Sequence, residues 1–88
     1  MSITKLTDAQ RELLAAAHRG ALIYHQATGG ITQRYEANGV RVRTWQVHRL
    51  IYARELLAPV PMSVRMGGPA THQIELTDAG HAALDGAS

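Results

Sequence analysis

Ten residues near the middle of the chain, 41–50 with the sequence RVRTWQVHRL, carry side chains that suit the binding of a polyanion. The guanidinium groups of Arg41, Arg43 and Arg49 can form paired hydrogen bonds with phosphate oxygens or with the edge of guanine. Gln46 presents an amide that pairs in a similar way with adenine. These residue types predict contacts with a nucleic-acid duplex, in which Arg41 and Arg43 lie on the backbone and Gln46 and Arg49 on base edges.

Four further side chains belong to the same hypothesis. Thr44 can cap a helix and hold a phosphate at the helix N-terminus, and His48 is expected on the outward side of that helix. Arg34 and Arg65 are expected to support the contact on phosphates. The ordinary alternative is a solvated helix face, because exposed arginines often serve only solubility.

Trp45 admits three interpretations. The default is that it packs on the core or the first sheet, because an aromatic ring contributes a large buried area. The alternatives are stacking on a sugar or base, and an interface with a partner protein. Tyr24, Tyr35 and Tyr52 are expected to be packing residues whose hydroxyl groups remain in water.

Charge is distributed unevenly along the 88 residues, whose net charge is +2. Residues 1–18 are balanced, whereas residues 19–54 carry six arginines against Glu36 alone, a net charge of +5. Residues 55–88 carry Arg65 against four acidic residues, a net charge of −3. A basic middle of this kind indicates a polyanionic partner.

The composition excludes several classes of site. The chain has no Cys, which excludes a disulfide framework and a thiolate metal site and fits a reducing cytoplasm. Its five histidines lack the HxxxH and HxH spacings, and neither a nucleophile–base signature nor a phosphate-binding loop occurs. We therefore expect no metal, no cofactor and no enzymatic activity. With no apolar run of membrane-spanning length and no signal peptide, a single cytoplasmic domain with no membrane contact is expected over residues 1–88.

The first half of the chain predicts one helix followed by three short strands. In LTDAQRELLAAAHRG, Thr7 and Gln10 have the spacing of a capping box, and Gly20 can end the helix. Gly-Gly and Asn-Gly pairs then favour tight turns between strands. A competing interpretation makes ITQRYEAN a helix of a standard helix-turn-helix, but Tyr35 would then stand where that motif needs a small residue. The predicted elements are a helix over 8–19 and strands near 21–26, 31–36 and 40–42.

The second half predicts a helix, a hairpin and a short helix. TWQVHRLIYARELLAP shows apolar residues at i, i+3 and i+4 after a cap at Thr44, and two prolines end it. Val, Met, Val and Met then alternate with other residues in VPMSVRM, and GGPA can turn the chain back. A second LTDA places a cap at Thr77. The predicted elements are a helix over 44–57, a hairpin of 60–66 with 71–76, a helix over 78–85 and a frayed tail over 86–88.

Two segments resemble compact winged helix-turn-helix domains that are common in actinobacteria and their phages. In NGVRVRTWQVHRLIYARELL, a turn glycine leads into a short strand, a capped helix with Val and Leu three apart, and a closing Leu pair. The ending IELTDAGHAAL is similar to the wing-to-helix ending of many winged-helix regulators. The chain departs from that family at Glu55, where a glycine usually precedes the closing Leu, and in replacing the second helix by a hairpin.

The resemblance implies an α+β winged helix-turn-helix fold, ordered as helix, β-hairpin, recognition helix, wing hairpin and short C-terminal helix. It further implies sequence-specific binding of double-stranded DNA in transcriptional regulation or phage-type control, through the helix over 44–57. One alternative is a protein-interaction module that binds a host or partner protein through Trp45, Tyr35, Tyr52 and the wing. Another is a DNA-architectural or excision-type factor. A homodimer, if one forms, is expected to use the first helix, the last helix or a sheet edge.

Overall fold

The fold is α+β, with two helices packed on one face of an antiparallel sheet in the order β3-β2-β1-β4. The computed structural model describes residues 6–27, 33–66 and 70–86. Seventeen apolar or tyrosine side chains in this part of the chain form one core between the sheet and the helices. The helices are α1 (Asp8–His18), α2 (Thr44–His48), α3 (Met62–Arg65) and α4 (Asp78–Gly86), and the strands are β1 (Leu22–His25), β2 (Arg34–Ala37), β3 (Val40–Val42) and β4 (Thr71–Gln73).

Helix α1 forms as its sequence predicts. The amide of Gln10 donates to Oγ1 of Thr7, and the amide of Thr7 donates to Oε1 of Gln10, each over 3.1 Å. This reciprocal capping box satisfies two amides that have no partner within the helix. The helix ends at His18, and Gly20 follows with a φ of +75°, a left-handed conformation that suits glycine. The predicted helix over 8–19 is thus confirmed to within one residue.

Strands β2 and β3 form the hairpin that the Asn-Gly pair predicts. Ala37 pairs with Val40 across a two-residue turn in which Asn38 and Gly39 have φ angles of 54° and 82°. Positive φ at both central positions matches the twist of a tight hairpin. Residues 34–37 are therefore strand, and the competing helix over ITQRYEAN is wrong. The TGG turn and the start of the strand predicted over 31–36 lie outside the described residues.

The helix predicted over 44–57 ends earlier. After His48 the backbone widens into a π-helical turn over Arg49–Ala53, in which the amide of Arg54 donates to the carbonyl of Arg49. Glu55 then adopts a φ of +55°, and the amide of Leu56 returns to the carbonyl of Leu50 over 2.8 Å. The prediction was wrong because Leu56 and Leu57 are buried without being helical, and apolar periodicity alone does not separate the two cases.

The predicted hairpin of 60–66 with 71–76 is also wrong. Residues 62–65 form α3, while β4 pairs with β1 through Ile23 opposite Gln73. Val60 and Val64 are buried, whereas Met62 and Met66 are 66% and 76% exposed. Residues two apart on a strand lie on the same face, so burial of Val60 and Val64 with exposure of Met62 and Met66 does not fit a strand. The GGPA turn lies largely outside the described residues.

A closing junction, defined as residues 55–58 together with 75–80, joins the end of the π-helical turn to α4. Oγ1 of Thr77 donates to the carbonyl of Glu55 over 2.7 Å and accepts from the amide of Gly80 over 3.0 Å. Leu57 forms an antiparallel bridge with Leu76. The predicted cap at Thr77 and the short last helix are confirmed, although the helix includes Gly86, which was assigned to the tail.

Candidate nucleic-acid interface

The side chains of β3 lie on two faces of the sheet. Val42 stands opposite Tyr35 and packs against the core, whereas Arg41 stands opposite Glu36 on the other face. Arg43 follows the strand at the N-cap of α2 and is exposed. Among the described residues, neither Arg41 nor Arg43 takes part in an ion pair, so both guanidinium groups face solvent without a fixed acidic partner.

Trp45 is 55% exposed, which corrects the expectation that it packs on the core or the sheet. Helix α2 turns Val47 inward and the π-helical turn that follows it turns Leu50 inward, and both are fully buried. This orientation leaves Trp45 on the outer side, where the guanidinium carbon of Arg49 lies 5.5 Å from the centroid of its ring. The distance is within the range of a cation–π contact.

Two surface depressions meet at the indole of Trp45, and it is the one residue that lines both. Arg49 and Gln46 line the first depression, together with the N-terminal part of α1. Arg41 and Arg43 line the second, together with Val42 and Thr44. None of the residues lining either depression is acidic. We call residues 41–46 with Arg49 the basic corner.

Thr44 does not cap α2. It is the first helical residue, and Arg43 occupies the N-cap with an extended backbone and no side-chain hydrogen bond to the helix. The helix begins one residue earlier than a cap at Thr44 requires, because Arg43 takes the N-cap position directly after Val42, which is still paired with Tyr35. The consequence is that the side chain at the N-cap is a cation, available to a partner, rather than a hydroxyl used within the helix.

His48 lies in a cluster of aromatic rings. Its Nε2 lies 3.2 Å from the hydroxyl of Tyr35, and its ring contacts the ring of Tyr35 on one side and of Tyr52 on the other. Burial, together with the charge of Arg65, lowers the pKa of His48. Burial likewise raises the pKa of Tyr35 to about 12, with further contributions from Tyr52 and Tyr24. Both shifts favour the neutral forms, in which a phenol can donate to an imidazole nitrogen.

This arrangement corrects two expectations about tyrosines. Tyr35 is 2% exposed and its hydroxyl is held by His48, and Tyr24 is buried with its hydroxyl donating to Oε1 of Gln33 over 2.8 Å. Both hydroxyls thus have partners within the protein, contrary to the expectation that they remain in water. Tyr52, at 59% exposed, is the one of the three that reaches the surface.

Arg34 lies on the open face of the sheet in an ion pair. Its Nε donates to Oε2 of Glu36 over 3.2 Å, and Nε2 of His25 lies 3.1 Å from the other carboxylate oxygen. The hydrogen bond from Arg34 is the largest cause of a lowered pKa at Glu36, and His25 adds to it. Because Glu36 also stands opposite Arg41 in the sheet, one carboxylate separates Arg34 from the basic corner.

The structure therefore divides the predicted site residues into two groups. Gln46 and Thr44 are half-buried beside the indole, where they join three exposed arginines. His48 and Arg65 instead line a separate depression with Tyr35 and Tyr52. The group gathered around Trp45 is Arg41, Arg43, Thr44, Gln46 and Arg49, and the residues outside it are His48, Arg65 and Arg34.

The role of Tyr35 in holding His48 was missed from the sequence. The two residues are thirteen positions apart, and no short motif links them. The alternation of Tyr35 and Ala37 with charged residues in RYEA could have placed Tyr35 on the inner face of the strand. Its contact with a particular helix residue depends on how α2 crosses the sheet.

No cluster of three or more His, Cys, Asp or Glu side chains suited to a metal ion occurs within residues 6–27, 33–66 and 70–86. Over the same part of the chain, no helix has the length and apolar character needed to cross a membrane. Comparisons with protein-family models, with curated proteins and with solved structures give no match for this chain.

Proposed function

We propose that the chain binds double-stranded DNA through the basic corner. The observation that carries the proposal is the gathering of Arg41, Arg43 and Arg49 around the exposed Trp45, with no acidic side chain lining either depression. Arg41 and Arg43 contact phosphates, and their charge makes binding depend steeply on salt. Gln46 and Arg49 lie where they can meet base edges and give the contact its sequence preference.

The proposed fold family is a variant of the winged helix-turn-helix, in which α2 serves as the recognition helix. It is supported by the order of α1, the β-hairpin and α2, and by the LTDAG segment, whose Thr77 and Gly80 hold the last helix in place. In this variant, α3 and β4 occupy the chain positions of a wing hairpin. Transcriptional regulation or phage-type control is the corresponding biological role.

The proposal is tested by the salt dependence of duplex binding. Fluorescence anisotropy of a labelled random-sequence duplex should show binding at about 50 mM salt that weakens steeply towards about 200 mM. Arg43→Ala should weaken binding by about ten-fold at low salt and reduce the slope of log affinity against log salt by about 1. Arg11→Ala is the matched control, because Arg11 is an exposed arginine on α1 that pairs with Asp8.

The control separates a local contact from the effect of net charge. Both variants lose one positive charge, so an equal loss of affinity in both would assign binding to overall charge and contradict the basic corner as the site. Absence of any binding at low salt by the folded protein would contradict the proposed function itself.

A second candidate function is a protein-interaction module. It is favoured by the exposed Trp45 and Tyr52 on one helical segment, and by the exposed Met62 at the start of α3 and Met66 just after its end. Exposed apolar side chains of this size are enriched in protein interfaces. The patch originally expected for this function included Tyr35, which is buried. A protein that fails to bind duplex at any salt would favour this second candidate.

A further inference from the structure

We propose that the basic corner holds an unpaired nucleobase stacked on Trp45, so that the preferred ligand is a duplex containing an unstacked base. This inference rests on the proposed function and deepens it. It names the part of the nucleic acid that Trp45 contacts, whereas the proposed function assigns only the arginines and Gln46.

The position of Trp45 is the first observation. It is the only tryptophan of the chain and is more than half exposed, although Val47 and Leu50 on the same helix are fully buried. A large aromatic ring left in water retains apolar surface that a ligand can cover. The ring lies at the start of α2, where the chain leaves the sheet, and no element among the described residues covers it.

The charges around the ring are the second observation. One depression beside the indole is lined by Arg41 and Arg43, and the other by Arg49 and Gln46. An aromatic platform flanked by cations is the arrangement that binds single-stranded nucleic acid, since bases stack on the ring while the phosphates follow the cations. An apolar peptide would gain nothing from these three arginines.

The contact with Arg49 is the third observation. Its guanidinium group lies over the indole and occupies that side of the ring. The ring also borders the depression that contains Arg41 and Arg43, on the phosphate-binding side of the basic corner. A base on this side would stack on the indole while the adjoining phosphates meet the cations of that depression.

Stacking on the face of a base requires that the base leave the helix. In an intact duplex both faces of each base are covered by its neighbours, and only the edges are accessible in the grooves. The cost of unstacking is lowest where the base is already unpaired. A duplex with a single-nucleotide bulge should therefore bind more tightly than the same duplex without it.

The test compares these two duplexes at one salt concentration, with affinity measured by the fluorescence anisotropy of a labelled duplex and quenching of the intrinsic fluorescence of Trp45 as a second readout. We expect the bulged duplex to bind about ten-fold more tightly and to quench the fluorescence more strongly than the intact duplex. Trp45→Leu should bind both duplexes equally. Tyr52→Leu, at an exposed aromatic residue two turns further along the same helical segment, should keep the preference for the bulge.

Several outcomes would overturn the inference. Binding of the intact duplex with no preference for the bulge and no quenching would leave the proposed function standing and remove only the stacked base. Loss of the bulge preference in Tyr52→Leu as well as in Trp45→Leu would also contradict it. Equal quenching by polyglutamate would indicate that the basic corner binds acidic polypeptides and not a stacked base. Failure to bind either duplex would contradict the proposed function together with this inference.

Discussion

The basic corner and the closing junction use their polar groups in opposite ways. In the closing junction, Thr77 accepts and donates hydrogen bonds at once, and Gly80 packs directly against the backbone of Leu56. In the basic corner, Arg41 and Arg43 have no acidic partner among the described residues, and Trp45 is exposed. The polar groups of the closing junction are thus hydrogen-bonded within the chain, whereas the guanidinium groups of the basic corner face solvent.

This difference separates stability from binding. Substitutions in the closing junction should change the free energy of unfolding, because they remove buried contacts. Substitutions of exposed arginines in the basic corner should leave that free energy nearly unchanged and act on ligand affinity. The fold therefore positions the corner through residues that the ligand does not touch.

The largest expected effect follows from Gly80→Ala. A Cβ atom at this position would lie 2.0 Å from the carbonyl oxygen of Leu56 and 3.0 Å from its carbonyl carbon. Both atoms belong to the backbone, so α4 has to move away from the junction. We expect the free energy of unfolding to fall by about 3 kcal/mol, at the upper end for an overpacked site, as measured by denaturant unfolding.

Gly86→Ala is the matched control for this substitution. It places the same methyl group near the end of the same helix, where nothing lies within 4 Å of the added Cβ. Alanine has the higher helix propensity, so the free energy of unfolding should be unchanged or slightly higher. Equal destabilisation of the two variants would show that α4 is sensitive to any change and that the contact with Leu56 is not the cause.

The elements predicted correctly from the sequence are those with a local cause. The capping box of Thr7 with Gln10, the Asn38-Gly39 turn and the cap at Thr77 each involve residues within three positions of one another. Their geometry depends on residues that are close together in the chain and not on distant packing partners. The arginines of the basic corner were found for the same reason, because they lie within nine residues along a strand and a helix.

The errors arose where a distant partner decides the structure. Alternating residues in VPMSVRM fit a strand that pairs with 71–76, but residues 62–65 form α3, and β4 pairs with the distant β1 instead. The exposure of Trp45 depends on the angle at which α2 crosses the sheet, which periodicity does not give. The pairing of His48 with Tyr35 likewise follows from that crossing.

The next largest effect is expected at Glu55, the first residue of the closing junction. Its φ of +55° lies in the left-handed region, which costs a residue with a side chain about 1–2 kcal/mol. Glu55→Gly removes this strain, although glycine loses more backbone entropy on folding. We expect the free energy of unfolding to rise by about 1 kcal/mol, as measured by denaturant unfolding.

The left-handed conformation of Glu55 is one that suits glycine. Glu75→Gly is the control, because Glu75 is an exposed glutamate on the other side of the junction without a positive φ. It should lower stability, and a gain of similar size there would contradict relief of strain as the cause.

The smallest expected effect is a pH dependence of stability that arises at His48, on the helix that carries Trp45. Burial and Arg65 lower the pKa of His48 below its ordinary value of 6.5, so the unfolded chain binds the proton more readily than the folded one. The free energy of unfolding should therefore fall as the pH drops below 6.5 towards the folded-state pKa. His48→Gln keeps an acceptor for the hydroxyl of Tyr35 and removes this titration.

Denaturant unfolding at about pH 7.5 and about pH 5 measures the effect. Wild-type protein should lose more stability between these values than His48→Gln, and Arg65→Gln should lose an intermediate amount because one of the two causes is removed. An equal loss of stability in all three proteins would show that the pKa of His48 does not differ between the folded and unfolded states. Because His48 lies on α2 and contacts Tyr35 of β2, a smaller loss in His48→Gln would show that protonation of His48 opposes the packing of this helix on the sheet.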